Sequence, residues 1–197
     1  MNFGTTRSIK GDLILSPALP KAVIRYSSDF IYLGDLQYIA RETHHVEEFI
    51  FLVPNSLGHI TRLLLVHFEG FLENKEGEYE YFSEKSVKLG GEAFAYNLYF
   101  INVQDDLARF RGSDLAHAAD YIRQRAYTLA GDMTYQRFQR LVSDDRRNLI
   151  SISYMEANDD LTANAVAEDP QLGKALIERA LKSFSLEPVE ILAQIQE

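Results

Sequence analysis

The chain has 197 residues, of which 46% are hydrophobic and 25% are charged, and this composition is typical of a folded domain rather than of a disordered chain. Its formal net charge of −9 disfavours nucleic acid and anionic membranes as partners, because both present negative phosphate groups. The sequence contains no cysteine, which excludes disulfides, thiolate nucleophiles and cysteine-ligated metal clusters and fits a protein of the reducing cytoplasm.

The first half of the chain alternates apolar and polar residues and predicts a run of β-strands joined by short turns. The predicted strands cover residues 12–15, 21–26, 30–41, 46–53, 60–72, 79–82, 87–89 and 93–103. Gly34 and Asp35 indicate a bulge or bend inside the long third strand. Consecutive strands with short connections favour an antiparallel meander.

A helical period replaces this alternation after residue 112. The apolar stripe is formed by Leu115, Ala119, Ile122, Ala126 and Leu129. This spacing predicts one central helix over about 113–130, which begins at an N-cap of serine or aspartate.

The remaining part of the chain predicts a hairpin and then helices. Strands at 134–142 and 149–156 flank a polar turn and form the hairpin. Asp169 and Pro170 are an N-cap and first-turn pair, so C-terminal helices are predicted over about 170–196.

Strands that are grouped, rather than alternating with helices, indicate an α+β fold in a single domain spanning residues 1–197. A sheet of about seven to nine antiparallel strands tends to curl or close. We therefore expect a curved antiparallel sheet or a barrel-like meander, with the helices packed against it or over one end. The strand register, which decides which side chains meet, is not determined by one sequence.

The predicted strand at 60–72 is apolar on both faces, which indicates that both faces are covered. One face carries His67 and Glu69 two residues apart, so the two groups are close enough to interact. A buried ionisable group needs a partner or shifts its pKa. Two interpretations remain open: a histidine–carboxylate pair that lines a pocket, or a structural histidine with Glu69 in solvent.

Other candidate ligand-binding residues are polar side chains on or beside apolar strands. Arg62 lies on the opposite face of the strand that carries His67, whereas Asn97 and Tyr99 share a face of a later strand. Arg109 precedes a predicted helix N-terminus, a position that favours anions, and Arg137 lies on the hairpin. Pairing with neighbouring acids explains these arginines equally well.

The neighbouring histidines His44 and His45 suggest a metal site at first inspection. Adjacent residues of a strand point to opposite faces, so the two rings could share a metal only in a loop, and an exposed polar turn is the simpler interpretation. No metal site and no cofactor are predicted, although five histidines in four regions leave metal binding open.

The sequence has no phosphate-binding loop, no serine-nucleophile motif and no zinc-protease motif. The leading hypothesis is a non-catalytic module that binds a small, partly apolar ligand in a pocket of the curved sheet. The first alternative is an enzyme in which His67 and Glu69 move protons on a small anionic substrate. The second alternative is a structural or interaction protein that forms a homodimer.

Overall fold

Two antiparallel β-sheets form the frame of the protein in a computed structural model that describes residues 7–80, 83–158 and 161–195. The strands are β1 (Ser8–Lys10), β2 (Leu13–Ser16), β3 (Ala22–Tyr26), β4 (Ile31–Ala40), β5 (His44–Pro54), β6 (Ile60–Phe71), β7 (Ser86–Leu89), β8 (Glu92–Asn102), β9 (Asp132–Leu141), β10 (Asn148–Ala157) and β11 (Phe184–Glu187). The helices are α1 (Val103–Arg109), α2 (Asp114–Arg123), α3 (Ala163–Glu168), α4 (Pro170–Leu181) and α5 (Ile191–Ile195).

The larger sheet has seven strands in the order β4-β5-β6-β10-β9-β8-β7, and every neighbouring pair is antiparallel. It consists of two meanders, β4 to β6 and β7 to β10, which meet where β6 pairs with β10. Within the described residues β4 and β7 are its two edges, so the sheet is open and the expected barrel-like closure is not confirmed. The smaller sheet has the order β1-β2-β3-β11, and the fold is α+β with antiparallel sheets, as predicted.

The bulge predicted in the strand at 30–41 lies at the expected place. The register of β4 against β5 shifts between Tyr32 and Gly34, and Gly34 has a φ of 143°. A side chain at this position would collide with the hydroxyl group of Tyr121. Glycine therefore allows α2, which carries Tyr121, to pack closely over this part of the sheet.

Apolar clusters cover both faces of the larger sheet. On one face Phe51 and Phe138 belong to a cluster that also contains Phe184 of the smaller sheet and residues of α4. On the other face Leu63 of β6 and Ile122 of α2 belong to a second cluster. Because both faces are covered, the larger sheet is the middle layer of the structure and its strands are apolar on both sides.

One central helix over about 113–130 is not confirmed, because α2 covers only Asp114–Arg123 of this range and a separate short helix, α1, precedes it at Val103–Arg109. The segment after α2 is held at the end of the sheet, where Thr128 exchanges backbone hydrogen bonds with Gly58 and Ile60. These bonds use the groups that a continuing helix would need, so the helical stripe toward Leu129 does not continue as helix.

The C-terminal helices predicted over 170–196 are interrupted by β11. α4 begins as predicted, since the Asp169 side chain accepts a hydrogen bond from Gln171 and Pro170 is the first helical residue. The chain then pairs with β3, which buries Phe184, before α5 begins. In the strand predicted at 79–82, residues 79 and 80 lie outside any strand, and residues 81 and 82 lie outside the described part of the chain.

Candidate functional site

Polar side chains form a row across the middle of the larger sheet, on the face that α2 covers. The register places Glu48 of β5, His67 of β6, Ser151 of β10 and Gln139 of β9 next to one another. Residues directly opposite each other in antiparallel strands point to the same face, so these four side chains lie side by side. The first residue of α2, Asp114, contacts this row at His67.

His67 is the buried centre of the row, with 0% of its surface exposed. Its Nε2 lies 3.1 Å from Oε1 of Glu48, and its Nδ1 lies 3.5 Å from Oδ2 of Asp114. Burial alone would lower the pKa of His67, but the two carboxylates outweigh burial and raise this pKa above its ordinary value. The two acids on either side of His67 therefore favour its protonated form.

Asp114 is held by three different groups. Nη2 of Arg137 donates to Oδ2 of Asp114 at 3.0 Å, and the Tyr38 hydroxyl lies 3.2 Å from both Oδ1 of Asp114 and Oε2 of Glu48. Burial would raise the pKa of Asp114, but the positive charges of His67 and Arg137 outweigh burial and lower it. Asp114 is consequently a carboxylate whose charge is neutralised within the protein.

Arg137 connects this network to the surface. Its Nε donates to Oγ of Ser151 at 3.2 Å, and its Nη2 donates to Asp114. Its Nη1 makes no hydrogen bond with any residue that the structure describes. Because 27% of the side chain is exposed, this unused donor is accessible from the outside.

An open cleft of about 1010 Å³ lies above the outer part of this network. Glu69, Asp114, Arg137 and Gln139 line its floor, and the segment 109–113 before and at the start of α2 borders it. This volume is at the upper end of the range typical of small-molecule sites, roughly 300–1,000 Å³. The polar network therefore supplies the charged floor of a cleft that is large enough for a small molecule.

Glu69 is the acid of the cleft that favours its protonated form. Burial, followed by the negative charge of Asp114, raises the pKa of Glu69 above its ordinary value, although a hydrogen bond with Tyr79 acts in the opposite direction. Burial and the neighbouring Glu69 in turn raise the pKa of Tyr79. The two carboxyl groups of the cleft thus have pKa values that are shifted in opposite directions.

Aromatic rings line one side of the cleft. The ring of His44 lies 4.0 Å from that of Phe71 and 5.2 Å from that of Tyr79, measured between centroids. The exposed turn expected at His44 and His45 is not found, because both residues belong to β5 and His44 is buried against Phe71, its partner on β6. These rings provide an apolar surface beside the charged floor.

Gln139 is a buried polar side chain without an internal partner. It is only 7% exposed and lines the cleft, yet its amide makes no hydrogen bond with any residue in the described ranges. Its amide atoms are not among the fully buried polar atoms that lack a partner, so the amide is open to the cleft. A ligand in the cleft would be in a position to satisfy it.

Arginines are concentrated at the mouth of the cleft. Arg41, Arg109 and Arg111 line it, and none of them forms a salt bridge within the described part of the chain. Acidic residues are also present, at Glu78 and Glu80, and Glu78 lies 3.8 Å from Arg146. The pairing with neighbouring acids is therefore seen in part for Arg109, whose charge acts on Asp106, whereas Arg111 forms no salt bridge with any described residue.

The structure brings together only part of the candidate residues of the sequence. Glu69, Arg109 and Arg137 line the cleft, and His67 lies beneath its floor. Asn97 is opposite Arg137 on β8 but does not line the cleft. Two other candidates lie elsewhere.

Tyr99 is 45% exposed and contacts the ring of Tyr135. Arg62 points to the opposite face of β6, where its Nη2 lies 3.1 Å from Oδ2 of Asp29 and its guanidinium lies over the ring of Phe30. The even number of Arg62 and the odd number of His67 already place the two side chains on opposite faces of the strand.

Sequence reasoning missed Glu48, Tyr38 and Gln139 as members of the site. Alternation along β5 puts Glu48 on the face of Val46, and alternation along β9 puts Gln139 on the face of Arg137. The faces of these residues could therefore be predicted from the sequence, but the register that places Glu48 and Gln139 in one row with His67 could not.

The rest of the molecule offers fewer candidates. A smaller depression of about 420 Å³ lies near Asn102, Asp132 and Asn158, and its asparagine and aspartate side chains bond to each other and to backbone groups. In the described residues no group of three or more histidine, cysteine, aspartate or glutamate side chains is arranged to hold a metal ion. The helices of the described chain include none that is long and apolar enough to cross a membrane.

Comparison with known proteins adds nothing to this geometry. No protein-family model, no curated protein and no solved structure matches the chain. The chemistry of the cleft must therefore be inferred from its own residues.

Proposed function

We propose that the protein binds a small molecule in the cleft between the larger sheet and the start of α2. The observation that carries this proposal is the side-chain amide of Gln139, which opens onto the cleft from a residue that is only 7% exposed and has no hydrogen-bond partner among the described residues. A ligand that bonds to this amide would form a hydrogen bond that contributes about 0.5–1.5 kcal/mol. The combination of a few polar groups with an apolar wall is typical of small-molecule sites.

The polar floor is rigid before any ligand arrives, which supports the same proposal. Arg137 is fixed by Ser151 and Asp114, and Asp114 is fixed by Tyr38 and His67. Side chains that are held by a second layer of hydrogen bonds lose little conformational entropy when a ligand binds. His67 is in this second layer, since it is buried and positions Asp114 without reaching the cleft.

Native mass spectrometry of the protein purified from its own host tests this proposal. We expect a non-covalent mass of a small molecule in the native spectrum that is absent from the denatured spectrum. The Gln139→Leu variant should lose this mass, whereas the control variant Arg123→Gln, which changes an exposed arginine at the other end of α2, should retain it. A ligand-free native spectrum, together with no binding of any compound from a small-molecule extract of the host, would overturn the proposal.

A second candidate function is supported by the two carboxyl groups of the cleft. Glu69 has a raised pKa and Asp114 a lowered pKa, and opposite shifts in one site are typical of acid–base catalysis. In this reading Glu69 is the general acid, Asp114 is the fixed anion, and His67 positions Asp114. The pair of His67 and Glu69 expected from the sequence is thus replaced by Glu69 and Asp114.

Turnover separates this candidate from simple binding. A small-molecule extract of the host would be incubated with the wild-type protein or with Glu69→Gln and analysed by mass spectrometry. Consumption of a compound by the wild type alone would support an enzyme, and equal extracts would leave only the binding function. A dimer in the native spectra would support self-association, the remaining alternative.

A further inference from the structure

We infer that the ligand of this cleft is an organic oxyanion, a small molecule that presents a carboxylate or phosphate group to the floor and the 109–113 segment. The inference rests on the proposed binding function and specifies the chemical class of its ligand. It is carried by the hydrogen-bond donors of the cleft and by the arginines at its mouth that form no salt bridge with the described residues, and the raised pKa of Glu69 is consistent with it.

Two donors of the floor lie next to each other without an acceptor. Arg137 and Gln139 are two residues apart on β9 and point to the same face. Nη1 of Arg137 has no acceptor among the described residues, and the amide group of Gln139 has no partner there either. The two residues lie on the same face with Cα atoms roughly 6.6 Å apart, so a guanidinium N–H and an amide N–H can each donate to an oxygen of one carboxylate or phosphate group.

The nearby carboxylate of Asp114 does not occupy these two donors. Oδ2 of Asp114 lies within 3.5 Å of both Arg137 and His67, and Oδ1 is within hydrogen-bond distance of the Tyr38 hydroxyl. Asp114 is therefore paired directly with Arg137 and shares His67 with Glu48. An incoming anion would meet the unused edge of Arg137 rather than an uncompensated carboxylate.

The mouth of the cleft adds positive charge in a protein that is acidic as a whole. Arg109 and Arg111 lie on the segment that leads into α2 and form no salt bridge in the part of the chain that the structure describes. The lining of the cleft has four arginines and four acids, so the cleft is less acidic than the chain as a whole, which has 29 acidic and 20 basic residues. Glu78 and Glu80 lie on another part of the rim, where Glu78 is near Arg146.

The raised pKa of Glu69 favours a neutral hydrogen-bond donor at this place over a negative charge. The groups that act on it are Asp114 of α2, His44 of β5, His67 of its own strand, Tyr79 of the segment after β6, and Arg137 of β9. Their sum and the burial of Glu69 favour its protonated form, and an anion bound nearby would favour it further. The carboxylic acid would then donate a hydrogen bond to the ligand.

The apolar wall indicates that the anion is organic. The rings of His44, Phe71 and Tyr79 contact one another at centroid distances between 4.0 and 5.2 Å and line the cleft together with Leu149. Inorganic ions would leave this surface exposed, whereas a ring or a short hydrocarbon chain would cover it.

A set of matched probes tests this inference. Benzoate, benzamide and benzylamine have similar shapes but carry a negative, no and a positive charge, and phenyl phosphate replaces the carboxylate by a phosphate. The binding of each is followed by NMR, in the ¹⁵N spectrum of the protein, through the side-chain amide signals of Gln139 and the Nε signal of Arg137. From these signals we expect a Kd for benzoate or phenyl phosphate at least about tenfold lower than that for benzamide. Benzylamine should leave the signals unchanged.

Variants locate the effect. Arg109→Gln combined with Arg111→Gln should weaken binding of the anionic probe by about tenfold, and Arg123→Gln, the matched control on α2, should not. In the wild type the affinity should fall as the pH rises through the pKa of Glu69, because the ligand then meets a second negative charge. Glu69→Gln, which imitates the protonated acid, should bind the anion without this pH dependence.

The outcomes separate the two proposals. If benzylamine or benzamide binds as tightly as benzoate and phenyl phosphate at the Gln139 signals, the cleft binds small molecules but the oxyanion inference is wrong. The inference is equally wrong if the anion affinity has the same pH dependence in the wild type and in Glu69→Gln. If no probe shifts these signals and no host compound is retained, both the inference and the proposed function fail.

Discussion

Two pairs of neighbouring residues show how the two faces of the larger sheet differ. On β9, Gln136 points toward the smaller sheet, where it accepts a hydrogen bond from Tyr96 at 3.1 Å and donates one to the backbone of Leu176 at 3.1 Å. Gln139 points toward the cleft and has no partner among the described residues, although both glutamines are buried. The first amide completes a core, and the second remains open to a ligand.

On β5, Glu47 and Glu48 are both buried and point to opposite faces. Glu47 lies 2.7 Å from Arg7, whose guanidinium also bonds to Ser16 and to the backbone of Leu19, so this pair fastens the N-terminal segment. Glu48 belongs instead to the network under the cleft. Burial of a charge therefore does not mark function by itself; the marker is a network that ends at a cavity with unused donors.

The largest effect is expected from removal of the central cation of this network. His67→Leu leaves Glu48 buried without its partner, which should lower the free energy of unfolding by about 3–5 kcal/mol. Glu48→Leu in the same chain removes the unpaired charge and should restore part of the loss. Urea unfolding of both single variants and of the double variant measures this coupling, and additive losses would contradict the paired arrangement.

A smaller effect should distinguish the two glutamines. Gln136→Leu leaves the Tyr96 hydroxyl and the Leu176 carbonyl without a partner and should cost about 1–3 kcal/mol of unfolding free energy. Gln139→Leu breaks no internal hydrogen bond, so we expect a change within about 0.5 kcal/mol or a small gain. Parallel denaturation curves of the ligand-free proteins provide the measurement, and equal losses would show that Gln139 is part of an ordinary core.

The pH dependence of stability should also be specific to the cleft face. The folded pKa of Glu69 is raised, so its contribution is present at low pH and is lost as the pH rises above the ordinary glutamate value through the folded pKa. The raised pKa of His67 acts in the same direction: its stabilising contribution is lost as the pH rises above the ordinary histidine value. Glu69→Gln should therefore gain stability relative to the wild type at neutral pH but not at pH 4.

Thermal unfolding of the two proteins across this pH range tests the sign of the effect. A wild type whose stability rises steadily from pH 4 to 8 relative to Glu69→Gln would show that Glu69 is ionised in the folded protein. The Gln136→Leu variant serves as the control, because it changes the opposite face and should follow the wild-type pH profile.

The smallest effect is expected on the face without the cleft. Arg62 and Asp29 form an exposed ion pair, and such pairs contribute about 0–1 kcal/mol. Arg62→Gln should change the unfolding free energy by no more than this and leave the binding of an anionic probe unchanged. A tenfold loss of binding in this variant would contradict the proposed site, because it would place the bound probe on the face of Arg62 rather than on the face of the cleft.

The sequence was sufficient for most of the strands, for the bulge at Gly34 and for the start of α4, since these depend on local alternation and on capping residues. It was insufficient where distant contacts override local preference. The segment around Thr128 follows the sheet rather than the helical stripe, and Phe184 pairs in β11 rather than extending α4.

The same distinction holds for the candidate site. Alternation identified the face of His67 and Glu69, and the residues before α2 pointed to Arg109 as a contact for anions. The row of Glu48, His67 and Gln139 depends on register between strands that are far apart in the sequence, which no local pattern contains.

The most direct test of the cleft as a ligand site is the stability of the protein before and after its ligand is removed. Protein purified from its host would be unfolded, separated from small molecules, refolded, and compared with the original sample by thermal unfolding. We predict a lower midpoint after removal, recovery when a small-molecule extract of the host is added, and no such difference for Gln139→Leu, because a ligand at 100 times its Kd stabilises by about 2.7 kcal/mol. Identical midpoints for the purified and stripped wild-type protein, with no response to the extract, would contradict the account.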